Sequence, residues 1–253
     1  MIKVSCVSYL NSRPFIFGLE NSEMGNEIEL SLDTPFVCAE KLLNEKADIG
    51  LVPVAIIPEL QESHIISDFC IGADGTVETV LLLSDVPLEK INCVLLDYQS
   101  RTSVLLLKIL AEKFWKISPQ RINTEIDFEK NIKDKTAGLV IGDRTFALKK
   151  KFRYVYDLAE EWKKFTELPF VFACWVSNKK LDEDFISRFN TALESGIKNI
   201  PLVASQYPSN GFDALDYLTK KVSYDLDERK KQAMKYFLQL TAELAASTLN
   251  IKL

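Results

Sequence analysis

The chain has 253 residues, 47% of them hydrophobic and 26% charged, with a formal net charge of −5. That is enough sequence for one large domain or for two lobes with cores of their own, and the acidic balance excludes the basic footprint of a nucleic-acid or anionic-membrane binder. Five scattered cysteines without a CxxC pair, and a single histidine (His64), exclude a zinc site that spacing would reveal.

The cysteines (Cys6, Cys38, Cys70, Cys93 and Cys174) sit mostly among apolar neighbours and are expected as buried, reduced thiols. Met1 leads straight into a strand, without a charged n-region and apolar h-region, and no apolar run is long enough to span a bilayer. The expected location is the cytoplasm. GxGxxG, Walker A and GxSxG motifs are absent, and no metal or cofactor is expected.

In chain order, Ile2 to Val7 predicts a strand, followed by the polar cluster Ser8, Asn11 and Ser12 and by Pro14, which suits the first turn of a helix. Glu27 to Leu32 predicts a second strand, Pro35 to Asn44 a helix, and Asp48 to Val52 a compact buried strand ended by Pro53. This βαβαβ order implies a mostly parallel sheet. Strand ends that open into helices are where such sheets place ligands.

His64 falls in a turn leading into a strand. Thr76 to Ser84 is an extended run, and Cys93 to Leu96 opens a second α/β unit whose helix runs from about Thr102 to Trp115. Arg121 to Ile126 and Gly138 to Ile141 predict further strands, and Pro169 to Val176 is apolar throughout, as in a strand buried on both faces. From Leu181 onward the pattern reads as all helix: Asp182 to Lys198, Phe212 to Val222 and Leu226 to Leu249. Two lobes are expected, residues 1–86 plus 177–253 and residues 87–176, with the strands near 80 and 172 as the crossings.

Ser100, Thr102 and Ser103 crowd a helix start, where unpaired N–H groups and the positive end of the helix dipole favour a carboxylate or phosphate. One N-cap needs one such residue, worth about 1 kcal/mol, and this site offers three. Gly142 ends a buried strand and permits close approach of a ligand. By residue type alone, Asp143 is expected to cap the helix Thr145 to Lys149.

Val7–Phe15 (VSYLNSRPF) resembles the opening of the chorismate dehydratases of the futalosine route to menaquinone. The segments beginning at Asp48 (DIGLVPVA), Gly75 (GTVETV), Ser100 (SRTSVLLLKIL), Ile141 (IGD) and Asp157 (DLAEEW) are similar to the same family's. The resemblance implies an α/β, two-lobed, periplasmic-binding-protein-like type 2 fold. In that fold each lobe is a mainly parallel sheet with flanking helices, and the ligand cleft lies between the lobes.

It also implies a reaction in which chorismate loses water, with the substrate's own enolpyruvyl carboxylate as base. Asn11 and Thr79 would then be catalytic. Ser8, Val52, Ser100, Thr102, Ser103, Gly142 and Asp143 would bind the substrate. Where Thr79 stands the family commonly carries a serine, so the hydroxyl is kept and a methyl group is added. Asp143 beside a dianion would have to point away or accept a hydroxyl proton.

The partner expected is the small molecule chorismate, with no nucleic acid and no membrane. A solute receptor or sensor of the same fold is the alternative, as is the sister dihydroxynaphthoate synthase, which the missing catalytic histidine disfavours. The sequence leaves the oligomeric state and the roles of Arg13, Arg101 and Arg144 open.

Overall fold

The computed structural model describes residues 1–207 and 212–250. The chain begins with β1 (Ile2–Val7), α1 (Arg13–Glu20), β2 (Ile28–Asp33), α2 (Pro35–Leu43), β3 (Ile49–Pro53) and β4 (His64–Ala73). It continues through β5 (Val80–Ser84), β6 (Cys93–Leu96), α3 (Arg101–Ile109), β7 (Gln120–Asn123), β8 (Thr136–Ile141), α4 (Thr145–Leu148), β9 (Tyr154–Asp157) and α5 (Leu158–Thr166). Last come β10 (Phe170–Ser177), α6 (Glu183–Lys198), α7 (Ile200–Ser205), α8 (Ala214–Asp216), β11 (Ser223–Asp225) and α9 (Glu228–Asn250).

Two compact units result, residues 1–73 with 171–226 and residues 74–170 with 227–253. The first holds a sheet in the order β11-β4-β10-β3-β1-β2, the second a sheet in the order β7-β6-β8-β5-β9. Among the described residues, no helix is long and apolar enough to cross a membrane.

In the first unit, β1 pairs parallel with both β2 and β3, so the C-terminal ends of all three strands lie at the same end of the sheet. Antiparallel pairs complete the sheet, β10 with β3 and β11 with β4. The core lies under α1 and α6. There Phe15 meets Trp175 at 5.8 Å and Tyr224 at 5.3 Å in edge-on geometry, and Trp175 meets Phe189 at 5.1 Å. Such tilted pairs add to the area term because ring edges and faces carry opposite partial charge. Glycines at the crossing of α1 and α6 let the two backbones touch.

In the second unit, β6 is parallel to β7 and β8, while β5 runs antiparallel to β8 and β9. Both sheets are therefore mixed rather than mainly parallel. The antiparallel members are the strands that the βαβ pattern does not govern.

The long helix α9 packs in the second unit, against the expectation that residues 177–253 all join the first. Its apolar stripe Ala233, Phe237 and Leu240 has helical spacing and is buried. Phe237 sits 5.1 Å from Phe170 and 6.2 Å from Trp162. Periodicity reveals such a stripe without saying which sheet receives it. The unit limits at 73/74 and 170/171 likewise assign all of β5 to the second sheet and nearly all of β10 to the first.

Other expectations shift locally. The all-helical reading of the C-terminal third is corrected by β11, a short strand that pairs with β4. Of the helix expected over Phe212 to Val222, α8 and a π-helical turn at Tyr217–Lys221 form. Strand β7 ends at Asn123, because the Thr124 hydroxyl takes the Leu96 carbonyl at 2.6 Å in place of the ladder. Asp143 does not cap α4, whose N-cap is Arg144 with no side-chain cap bond. The five cysteines are free thiols, four of them buried and Cys93 half-buried. His64 opens β4 and pairs with Glu62 at 2.6 Å on a half-open surface.

Candidate active site

In the first unit, the chain leaves β1 at Val7 and turns through a 3-10 segment at Leu10–Ser12 into α1. Four bonds pin this turn. Ser8 N donates to Asp33 O at 2.9 Å, Ser12 N to Tyr9 O at 3.0 Å, Arg13 Nη2 to Ser8 O at 3.2 Å, and the Tyr224 hydroxyl to Asn11 O at 3.0 Å. Asn11 caps neither the 3-10 turn nor α1.

The Ser12 hydroxyl donates to Asn11 Oδ1 at 3.2 Å, which turns the two Nδ2 protons the other way. Asn11 thus presents neutral donors on a fixed backbone. Ser8 is half-buried in the same turn, whereas Val52 lies fully buried in β3, opposite Cys174.

Tyr224 was not legible as part of this turn, because 213 positions separate it from Asn11. Its burial pushes the phenol pKa well up, so it stays a neutral donor. Tyr224→Phe is expected to lower stability by about 1 kcal/mol and to loosen the turn. A melting temperature unchanged from the parent would refute that bond.

In the second unit, three loops converge at one end of the central strands. After β6, Ser100 caps α3: its Oγ accepts from Ser103 N at 3.2 Å and lies 3.0 Å from Ser103 Oγ. The two hydroxyls share one mutual bond, which leaves one O–H proton for a ligand. Thr102 and Ser103 are each 1% exposed and Ser100 8%. Ser100 is therefore both the cap and a potential donor.

After β8, Gly142 takes φ 76, a conformation glycine adopts without penalty. Its N–H donates to Thr79 O at 2.9 Å, which joins the loop before β5 to the end of β8. Asp143 is exposed. Thr79, Ser100, Ser103 and Gly142 are thus gathered by one sheet, with Thr102 in the first turn of α3.

A buried carboxylate ties these loops together. Asp97 accepts from Gln99 N at 3.0 Å and Ile141 N at 3.0 Å, and it pairs with the Arg144 guanidinium. Burial raises the Asp97 pKa, opposed by Arg144 and the two N–H donors. Arg144 also reaches Glu129 and Ile141 O, which gives it a structural task. Arg13 likewise serves the first turn, and Arg101 begins α3.

Asp157 is pushed up to about 6 by burial, against four backbone N–H donors that favour its charged form. Neither aspartate stood out in the sequence as a loop tie. The bonds of Asp97 to Ile141 and of Asp157 to Val77 span 44 and 80 positions, so no local pattern encodes them.

The family described as menaquinone biosynthesis matches residues 2–243 of the chain. Among solved structures, protein AF1704 from Archaeoglobus fulgidus is similar at 14% identity with a TM-score of 0.72, over 97% of this chain and 98% of that one. The Candida albicans CA3427 gene product, described as having the generic periplasmic binding protein fold, matches at 15% identity with a TM-score of 0.61, covering 97% and 91%. The periplasmic aliphatic sulphonate binding protein SsuA from Escherichia coli matches at 14% identity with a TM-score of 0.58, covering 98% and 87%. These likenesses are of fold, and the fold is periplasmic-binding-protein-like.

Proposed function

The chain belongs to the menaquinone biosynthesis family, and from that premise we propose that it is a chorismate dehydratase of the futalosine route. The C3 proton and the C4 hydroxyl of chorismate leave as water, and the product is 3-[(1-carboxyvinyl)oxy]benzoate. Aromatisation supplies the driving force. The task left to the protein is to hold one conformer and stabilise developing charge.

The observation that supports this reading best is the chemistry of the candidate residues. Asn11 contributes two amide protons on a pinned turn, and the Ser100–Ser103 pair contributes a hydroxyl proton at a helix start. Neutral donors of this kind suit a carboxylate in a protein of net charge −5. They also leave the substrate's enolpyruvyl carboxylate basic enough to take the C3 proton. In this reading Asn11 and Thr79 act at the reacting centre, while Ser8, Ser100, Thr102, Ser103, Val52, Gly142 and Asp143 bind substrate. The reaction as written consumes no cofactor.

The test is direct. Purified protein mixed with chorismate is expected to yield 3-[(1-carboxyvinyl)oxy]benzoate and water, followed by the proton NMR signals of the new aromatic ring. Saturable binding of chorismate without turnover would overturn the enzyme in favour of a receptor. Neither binding nor turnover would overturn the substrate.

A further inference from the structure

Glu78 holds φ 64, in the left-handed region that side chains with a Cβ rarely adopt. It directly precedes Thr79, and every part of it is held. Its N–H and that of Val77 donate to Asp157 Oδ2 at 2.6 and 2.9 Å. Its carbonyl shares the Thr145 hydroxyl proton, at 3.0 Å, with Gly142 O at 2.8 Å, and its carboxylate pairs with Lys149. The next carbonyl, that of Thr79, accepts from Gly142 N at 2.9 Å. Thr79 itself is 2% exposed. A left-handed glutamate is strained and persists only where its surroundings over-determine it.

Asp157 does more than a helix cap requires. Its Oδ1 caps α5 through Ala159 N at 3.0 Å and Glu160 N at 3.3 Å. That alone completes the cap. The second oxygen is spent on two successive N–H groups of the loop before β5, a small anion-binding concavity of the kind turns form. We propose that Asp157 is a positioning residue for Thr79, whose carboxylate clamps the left-handed turn at Glu78 and so fixes where the Thr79 hydroxyl stands. This inference rests on the catalytic role proposed for Thr79.

Asparagine separates the two tasks. It is as good an N-cap as aspartate, so Asp157→Asn keeps Oδ1 on α5. In place of Oδ2 it brings an N–H donor face to face with the Val77 and Glu78 amides. The turn then relaxes to negative φ at residue 78. Glycine at 78 populates φ > 0 about as readily as φ < 0, so Glu78→Gly lifts the left-handed penalty and leaves only the opposed N–H groups to push the turn aside.

The experiment measures kcat and KM for chorismate in the parent, in Asp157→Asn, and in Asp157→Asn with Glu78→Gly. Asp157→Asn is expected to lower kcat about 10–100-fold, the cost of a misplaced catalytic group, with KM changed little. The double variant is expected to regain about tenfold, the size of the left-handed penalty that glycine avoids. Unchanged kcat in Asp157→Asn, or no recovery in the double variant, overturns the inference. If Asp157→Asn alone does not fold, the double variant decides: folding with turnover supports the clamp, and failure of either overturns it. An inactive parent protein overturns the proposed reaction instead, so the two failures are told apart by the parent alone.

Discussion

Asn11→Ala is expected to lower kcat about 10²–10³-fold, as loss of one preorganised donor to developing charge does in other enzymes, while the melting temperature stays near that of the parent. The backbone of the turn is held by Ser8 N, Ser12 N, Arg13 and Tyr224, through bonds that do not use the Asn11 side chain. That side chain caps no helix and takes a single bond from Ser12. Truncation therefore removes one side-chain bond and two amide donors, and leaves the backbone bonds of the turn in place. Activity equal to the parent, or a large drop in melting temperature with turnover per folded molecule preserved, would sink the assignment.

Gly196→Ala is the substitution expected to damage the fold most. A Cβ on Gly196 would stand 1.8 Å from Pro14 O and 2.9 Å from Gly18 N, and one on Gly18 would stand 2.0 Å from Ala192 O. These are backbone atoms, with no flexible side chain to give way, so α1 and α6 must separate. Overpacking of this kind costs about 1–3 kcal/mol and sometimes more, against a gain of about 1 kcal/mol from alanine in a helix. Here the contacts are short enough that the strain wins. The melting temperature should fall, by about 2–4 °C for each kcal/mol lost in a protein of this size. Pro14 lies three residues beyond Asn11, so kcat should fall with it. A melting temperature equal to or above that of the parent would contradict the backbone contact.

The residues that were legible share a local signature. Asn11 stands where a short strand breaks into a proline-led helix, and Ser100 is a cap visible from the hydroxyls around it. The strands β1, β2, β3, β6 and β8 are short apolar runs with clear breakers, and each is found within a few residues of its expected place. What escaped is non-local. Nothing in a window around Glu78 foretells a left-handed glutamate, because the carboxylate that holds it lies 79 positions away. Tyr224 sits in a strand of three residues, too short for an alternating pattern to register.

The sequence by itself determined the α/β class, the two strand-end loops with their polar residues, and the family, because strand and helix periods, caps and contiguous motifs are written in neighbouring residues. Only the tertiary structure decided which sheet receives α9, that both sheets are mixed, and that Asp97, Asp157 and Tyr224 hold the candidate loops. Those facts depend on which surfaces meet when apolar stripes are buried and on which buried N–H groups find a carboxylate. Both are set by contacts between residues far apart in the chain.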